Sequence, residues 1–527
     1  MLLSAAAPIL LVLSTCLGLA SSIPHRSRNI KSAPSELGQS VDLKVNRTKR
    51  TSVSSASRSF RGARQASTAA LDDDGITISQ PKDLFSIPVT VGSQSFDLLI
   101  DIGSADTWVA DAFFSCFHHG SIFPQSFCAL GGTLNQTSDP TITSITDVNL
   151  FARFGLGDFA AGPMARALLS FTSDTTFMQE VGIVSMMEWS NGDNFTSGVL
   201  GLAPRNSTSK FPGTDWTNDL HCPLNSSTTI YGYDGEYTCN QMNYDSVSVN
   251  LASRLSRPYI TLALSRDSSN SSNGGSITFG GVGDTTDARI NSTGRFTDLP
   301  IEPLASDDTK SIRSYIISVE GVSLPVFTNL STPTTTSSTR RSTPTDWDHV
   351  RKSHHHVPQK RSAGTTFIPM ASSSNSTTTN SAGSSQFFLE SNLPFLFFPP
   401  TLAKSYNNLF TPTPDHYYDI SRNHYIYELN CTELSYVPPL AITIAGDSFP
   451  INPEDLVIRE QVEYYDYESE EYIEEELCYS AVTDSAVMAD EVSLYNALGQ
   501  PFLKNVLMLI DLEDDTIALS SRPYYES

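Results

Sequence analysis

The residue with the clearest chemical potential is an aspartate, Asp101, which directly follows a short apolar run, Leu98–Ile100. Gly103 lies two residues later and lets the backbone turn sharply. A second apolar run begins at Trp108. The pattern predicts a carboxylate at the end of a buried strand, where it could act as a general acid or base. The alternative is an ordinary Asp in a hairpin turn, which this stretch alone does not exclude.

The surrounding residues, Phe96–Val109, resemble the first active-site loop of the pepsin-like aspartic proteases (peptidase A1). That loop reads Asp-Thr-Gly-Ser between apolar residues, followed by Trp-Val, and here Ile102 stands in place of Thr. The chain as a whole looks like a fungal secreted member of the family. Five further stretches are similar to the family in the same order: Asp83–Gly92 before the loop, Phe154–Asp158 at the flap hairpin, Ser197–Pro204 in the first lobe, Gly274–Gly281 opening the second lobe and Gly499–Asp511 near the end.

The resemblance implies an all-β, bilobal fold, with two β-rich lobes flanking a cleft. It also implies aspartic-type proteolysis, in which two carboxyl groups share one proton. The resemblance further implies that six residues bind the substrate: Gly103, Ser104, Phe154, Gly155, Gly157 and Ser391.

The second carboxyl is expected just before an apolar segment, Phe397–Phe410, that would start a helix. Counting back places it in a stretch where the family has Asp-Ser/Thr-Gly-Thr. This chain instead has Glu390, Ser391, Asn392 and Leu393. The alternative is that Glu390 is a surface acid in a loop.

Several departures from the family pattern coincide. Glu390 adds a methylene, and a placement error of about 1 Å can cost on the order of a hundredfold in rate. Ile102 lacks the hydroxyl that would brace the two loops, so we expect both sides of that brace to be weakened. Asn392 replaces a glycine. Phe154 replaces the flap tyrosine and so loses a hydroxyl that would reach Trp108 or a water.

These departures predict a catalytically inactive or impaired protein that retains a peptide-binding cleft. The alternative is an active aspartic-type endopeptidase, working at acidic pH with Asp101 and Glu390. A further alternative is a cell-wall or extracellular interaction protein that uses its glycosylated surface. The expected partner is an extended peptide or a protein, bound by a monomer. No cofactor and no metal are expected, because the His354–His356 run has no companion ligand set.

Composition limits the possible classes of protein. The 527 residues, 39% of them hydrophobic, suffice for two lobes with substantial cores. The formal charge of −24 argues against nucleic acid as a partner. Residues 1–64 contain 10 Lys and Arg but only 2 Asp and Glu, whereas the remainder contains 23 and 55.

The N-terminus is organised like that of a secreted protein. Residues 1–20 are interpreted as a signal peptide, and we expect no membrane anchor. Residues 21–65 are interpreted as a basic propeptide that would cover an acidic cleft, as in pepsin-like zymogens, although a disordered basic tail is the alternative. Lys49-Arg50 is a candidate processing site.

Beyond the leader we expect an N-terminal lobe over residues 75–265 and a C-terminal lobe over 266–527. A low-complexity insertion, residues 327–386, is expected to be a loop. Tyr464–Glu476 is expected to be an exposed loop in a second-lobe hairpin. Glycosylation is predicted from Asn-x-Ser/Thr sequons at Asn135, Asn194, Asn206, Asn225, Asn270, Asn291, Asn329 and Asn430.

Seven cysteines are present, and Cys16 lies in the leader. The remaining six suggest disulfides in an oxidising compartment, with 15 possible connectivities. Sequence proximity and the family pattern favour three pairs: Cys116–Cys128, Cys222–Cys239 and Cys431–Cys478.

Overall fold

The computed structural model describes residues 84–522 and three short upstream strands. Within 84–522 the residues left out are 119, 155–157, 173–174, 190–191, 215–229, 233–234, 238–241, 256, 266–272, 283–291, 305–311, 313, 328–361, 371–383, 420–423, 467–470 and 486–495. Several predicted features therefore lie outside the described residues: the signal peptide, the Cys222–Cys239 pair, Gly155, Gly157, the His354–His356 run and four of the eight sequon asparagines, Asn225, Asn270, Asn291 and Asn329.

Most of the regular structure in the described chain consists of β-strands. They are β1 (Arg28–Asn29), β2 (Val41–Thr48), β3 (Ile76–Thr77), β4 (Leu84–Val91), β5 (Gln94–Asp101), β6 (Trp108–His118), β7 (Ser121–Phe123), β8 (Thr143–Arg153), β9 (Phe159–Thr172), β10 (Thr175–Glu188), β11 (Gly198–Gly201), β12 (Lys210–Pro212), β13 (Ile230–Gly232), β14 (Gly235–Tyr237), β15 (Tyr259–Leu264), β16 (Asn273–Phe279), β17 (Arg295–Pro300), β18 (Ile316–Val319), β19 (Gly321–Phe327), β20 (Ser362–Pro369), β21 (Ser385–Leu389), β22 (Leu396–Phe398), β23 (Asp415–Asp419), β24 (His424–Leu429), β25 (Leu440–Ile444), β26 (Asp447–Ile451), β27 (Val457–Asp466), β28 (Glu471–Ser480), β29 (Val482–Asp484), β30 (Asn496–Leu498), β31 (Val506–Asp511) and β32 (Thr516–Ser521).

Helices in the described residues are short. The α-helices are α1 (Val247–Ala252), α2 (Pro400–Asn407) and α3 (Gln500–Leu503), and 3₁₀ turns span Gln125–Phe127, Gln136–Ser138, Arg205–Ser207 and Pro453–Leu456. No helix in the described part of the chain has the length and hydrophobicity to cross a membrane. The predicted all-β fold is confirmed.

One large sheet of sixteen strands runs through the molecule. Its order is β1-β17-β32-β31-β15-β16-β2-β4-β5-β11-β6-β10-β9-β8-β12, with β7 paired to β6. Strand β2, from the predicted propeptide, lies between β16 and β4. The remaining sheets have the orders β18-β21-β30-β22-β29, β20-β19-β25-β26, β23-β24-β28-β27-β3 and β13-β14.

A four-strand motif occurs twice. In the first copy β5 pairs parallel with β11, β11 antiparallel with β6, and β6 parallel with β10. In the second copy β21 pairs parallel with β30, β30 antiparallel with β22, and β22 parallel with β29. Strand β5 ends at Asp101 and β21 ends one residue before Glu390. The two acids therefore occupy corresponding positions of a repeated unit.

The apolar run before Asp101 is continuous because β5 is buried on both faces. Leu98 and Ile100 belong to the largest hydrophobic core, whereas Leu99 packs into a second core that contains Trp108. Since successive side chains of a strand point to opposite faces, both faces must be apolar here. This burial on both sides fixes the strand that carries the acid.

Two of the three predicted disulfides are confirmed. Cys116, in β6, bonds Cys128, which follows the 3₁₀ turn Gln125–Phe127. Cys431, shortly after β24, bonds Cys478 in the neighbouring strand β28. The paired cysteines are 12 and 47 residues apart in the sequence.

Two predicted loops are shorter than expected. Ser362–Pro369, inside the predicted 327–386 insertion, forms β20 and pairs with β19, and β21 begins at Ser385. Tyr464–Glu476 contributes to both strands of the β27–β28 hairpin. Both stretches contain β-branched or aromatic residues, which are enriched in strands. The loop interpretation was wrong for Ser362–Pro369, whereas the hairpin predicted around Tyr464–Glu476 is present.

Candidate active site

Asp101 and Glu390 stand at the ends of the two equivalent strands, each opposite a glycine. Asp101 pairs in register with Gly201, and the backbone N–H of Glu390 donates to Leu498 O at 3.2 Å, one residue before Gly499. A Cβ on Gly201 would lie 2.4 Å from Ala105 C, and one on Gly499 would lie 2.2 Å from Leu393 O. Each turn therefore folds back so closely that only glycine fits behind it.

The two acidic side chains meet at Gly103. Its backbone N–H donates to Asp101 Oδ1 at 2.8 Å. A Cβ built on Gly103 would lie only 2.1 Å from Glu390 Oε2, so the Glu390 carboxyl rests against this glycine. The longer glutamate side chain thus reaches the turn that carries Asp101.

The Glu390 carboxyl is held in its protonated form over a wide pH range. Burial, and secondly the negative charge of Asp101, raise its pKa from 4.5 to about 8. Desolvation and a like charge both disfavour the ionised form of a carboxyl. At acidic pH the pair therefore retains a proton on Glu390.

Ser391 connects the two turns through its hydroxyl. The hydroxyl accepts a hydrogen bond from Ile102 N at 3.2 Å and donates to Ile100 O at 2.8 Å. Ser391 itself is fully buried, and Ile102 packs in the core. We expected both sides of the brace between the turns to be weakened. On the Ser391 side this expectation is wrong, because the Ser391 hydroxyl makes both hydrogen bonds to the backbone of the first turn.

Ser104 holds the first turn rather than pointing away from it. Its hydroxyl accepts from Asp106 N at 3.1 Å, and its carbonyl accepts from Ala203 N at 3.0 Å. Asp106 is a buried acid that the sequence reasoning gave no role. Its carboxylate accepts from Thr208 Oγ1 at 2.5 Å and from Ser209 N at 2.6 Å. The sequence signal that could have identified it is the presence of a second acid five residues after Asp101, in the same apolar stretch.

Phe154 lies at the start of the expected flap and packs into an aromatic cluster. Its ring centroid is 6.1 Å from that of Trp108 and 5.2 Å from that of Trp189, and the two tryptophans contact each other edge-on at 5.3 Å. The buried Nε1 atoms of Trp108 and Trp189 have no hydrogen-bond partner among the residues that the structure describes. The phenylalanine therefore supplies packing without the hydroxyl that an indole N–H would bind.

Two equivalent turns, each bearing an acid and joined by a buried hydroxyl, define a two-lobed protein with a carboxyl pair between its halves. The model of the eukaryotic aspartyl protease family matches residues 85–522. The chain belongs to this family, and the predicted relationship is confirmed.

Curated fungal relatives are consistent with that membership. A protein named "Probable aspartic-type endopeptidase" from Aspergillus fumigatus is 21% identical over 433 residues, covering 81% of this chain and 76% of the relative. Proteins of the same name from Trichophyton verrucosum and Arthroderma benhamiae are 26% and 25% identical over 156 residues. Each of these matches covers 28% of this chain and 33% of the relative.

Proposed function

We propose that this protein binds extended peptides between its lobes and hydrolyses them much more slowly than a site with two aspartates would. The observation that carries the proposal is the contact of the Glu390 carboxyl with Gly103, beside Asp101. Extended peptides are commonly bound through backbone hydrogen bonds with alternate side chains in pockets.

The carboxyl pair can perform the proton transfers of peptide hydrolysis. Ionised Asp101 would accept a proton from the attacking water, while protonated Glu390 would give its proton to the carbonyl oxygen of the scissile bond. The pKa of Glu390, raised to about 8 by burial and by Asp101, supports this division of roles.

Two features support slow hydrolysis. The extra methylene of Glu390 brings its carboxyl onto Gly103, away from where a shorter aspartate would hold it, and an error of about 1 Å can cost on the order of a hundredfold. Phe154 brings no hydroxyl to Trp108. Phe154 then contacts Trp108 by ring packing alone.

The second candidate is an aspartic-type endopeptidase of ordinary efficiency that uses Asp101 and Glu390. The intact bridge from Ser391 to Ile100 and Ile102 favours it, because this bridge fixes the relative position of the two turns. In this case the longer side chain would be compensated by its surroundings.

One substitution separates the candidates, since Glu390→Asp restores the shorter acid. Digestion of a denatured protein between about pH 3 and 6, where a carboxyl pair shares its proton, is measured for the processed protein and its variants. Slow hydrolysis by wild type, raised at least about tenfold by Glu390→Asp, supports the first candidate. A fall in rate on Glu390→Asp supports the second. Asp101→Asn is the control and should abolish cleavage in both cases.

Peptide binding is tested separately by calorimetry with pools of extended peptides. If peptides bind with measurable heat but neither wild type nor Glu390→Asp cleaves them, the protein acts by binding peptides and not by hydrolysing them. Neither binding nor cleavage by well-folded protein would contradict the proposal.

We further infer that the protein is secreted. The two disulfides, Cys116–Cys128 and Cys431–Cys478, suit an oxidising compartment, and the N-terminal leader supports the same destination. Recovery from the culture medium, with residues 1–20 and the basic segment 21–65 removed, is the expected result. Retention inside the cell would contradict it.

A further inference from the structure

We propose that Asp106 is a third carboxyl of the site, which holds the turn that carries Asp101 and, once ionised, opposes the negative charge that Asp101 needs as the general base. This inference rests on the proposed function. Asp106 would then be a positioning residue that confines hydrolysis to acidic pH, without touching the substrate.

Asp106 lies inside the turn that follows Asp101. Its backbone N–H donates to Ser104 Oγ, and its carboxylate accepts from Thr208 Oγ1 and Ser209 N. Only 1% of the residue is exposed. The side chain therefore ties the active turn to a separate segment, residues 207–209, from inside the protein.

The same segment also binds the turn closer to the acids. Ser207 Oγ donates to Gly103 O at 3.0 Å, and Gly103 N donates in turn to Asp101 Oδ1. The contacts run without interruption from the Asp106 carboxylate to the Asp101 carboxylate. A change at Asp106 can thus reach the position of Asp101.

The charges around Asp106 favour its neutral form. Among the described residues, the titratable groups that act on it are Asp101 and the buried Tyr244. The nearby cation, Lys210, is paired with Glu180 at 2.5 Å. Burial chiefly, and the charge of Asp101 in addition, raise the pKa of Asp106 to about 6, against the lowering effect of its hydrogen bonds.

Repulsion between two carboxylates acts on both. Below about pH 6 Asp106 is neutral, so Asp101 can be the ionised member of the pair while Glu390 keeps the proton. Above that pH an ionised Asp106 disfavours charge on Asp101. The pair then holds its proton on Glu390 less completely, and cleavage slows.

The decisive variant is Asp106→Asn, in the processed full-length protein. The amide has the same shape, can accept from Ser209 N and can donate to Thr208 Oγ1, but it carries no charge at any pH. The rate of peptide cleavage, as kcat/KM, is measured from pH 3 to 8. We expect the alkaline decline to move from near 6 toward about 8, where Glu390 loses its proton.

Two further variants separate charge from structure. Thr208→Val keeps Asp106 but removes a hydrogen bond that favours its ionised form. The pH of the alkaline decline in kcat/KM should therefore rise, but by less than in Asp106→Asn. Asp139→Asn removes a buried acid that clamps Ser93 and Thr141 in the same lobe, and it should leave the decline in place. An unmoved decline in Asp106→Asn, or an equal movement in Asp139→Asn, would overturn the inference.

A readout without turnover keeps the inference testable in an inactive protein. A carboxyl whose pKa is raised by folding stabilises the protein below its unfolded pKa, and that stability is lost as pH rises through the folded pKa. The fall in melting temperature that Asp106 causes between about pH 4 and 6 should therefore vanish in Asp106→Asn. If it persists, Asp106 does not titrate there and the inference fails, whatever the fate of the proposed function.

Discussion

The Glu390 carboxyl occupies the space that a side chain at Gly103 would need. A Cβ at that position would lie 2.1 Å from Oε2 and 2.8 Å from Cδ of Glu390. Gly103 is therefore required by the acid of the opposite turn. The contact joins the two halves of the molecule directly at the carboxyl pair.

Gly103→Ala should disturb the site through Glu390 and not through the backbone. The added methyl must push the glutamate carboxyl aside, which a flexible side chain can do, so we expect a folded protein with impaired function. A double-mutant cycle with Glu390→Ala measures the contact, and a coupling of about 0.5–3 kcal/mol in unfolding free energy is expected for groups that touch.

The control is contained in the cycle. In the Glu390→Ala background, Gly103→Ala should cost little, because the oxygen it would meet is gone. Equal costs in both backgrounds would mean that the two residues are not in contact.

Glu390 should make the protein less stable as pH rises. Its pKa is raised from 4.5 to about 8, so its stabilising contribution is complete below about 4.5 and is lost as pH rises to about 8. Glu390→Gln cannot ionise and escapes this loss. Urea unfolding at pH 4, 6 and 8 should find the variant close to wild type at pH 4 and more stable by on the order of 2–4 kcal/mol at pH 8.

A constant difference between Glu390→Gln and wild type across this pH range would contradict the burial of the carboxyl. Acids that do not interact with Glu390 titrate alike in both proteins and cancel from the comparison, whereas Asp101, whose charge acts on Glu390, does not.

Ser391→Ala should weaken the junction of the two turns. It leaves the buried Ile102 N–H and Ile100 carbonyl without the hydroxyl that serves both. Leaving a buried polar group unsatisfied costs about 1–3 kcal/mol. The measurement is the free energy of unfolding by urea, accompanied by the rate of peptide cleavage.

Ser405→Ala is the matched control. Its hydroxyl also donates to a backbone carbonyl, Thr401 O at 2.7 Å, but within α2 and at the exposed surface. We expect a cost well below that of Ser391→Ala. Equal costs for the two serines would show that the bridge does not stabilise the junction.

The sequence predicted what depends on local pattern. The apolar run before Asp101 indicated a buried strand end, and the spacing of Cys116 and Cys128 indicated a disulfide. The position of Glu390 followed from its distance to the Phe397–Phe410 segment, and β21 does end directly before it. Each of these depends on neighbours a few tens of residues away at most.

Contacts between distant parts of the chain were predicted less well. The bridge from Ser391 to Ile102 joins residues 289 positions apart. The presence of Ile102 where the family has Thr did not indicate that the hydrogen bond from its backbone N–H to Ser391 is kept. Asp106 acquires its role from Thr208 and Ser209, about a hundred residues away. Whether an acid is buried depends on the residues that pack over it. These come from distant parts of the chain, so the local sequence around the acid does not reveal them.

Phe154→Tyr should return a hydrogen bond to the aromatic cluster. The Phe154 ring packs against Trp108 and Trp189, whose buried Nε1 donors find no acceptor among the described residues. A tyrosine hydroxyl that reaches one of them should stabilise the protein by about 1 kcal/mol and steady the residue at the start of the flap. Thermal unfolding and tryptophan fluorescence measure the first effect, and kcat/KM the second.

Removing each indole in turn identifies the partner. Trp108→Phe and Trp189→Phe are each combined with Phe154→Tyr, and the gain should disappear only where the bonded N–H has been removed. If Trp108 is the partner, cleavage should rise together with stability, because Trp108 begins β6 directly after the turn that holds Asp101. A gain that survives both tryptophan substitutions would come from the polarity of the hydroxyl at the surface, and the two indoles would then play no part in holding the flap.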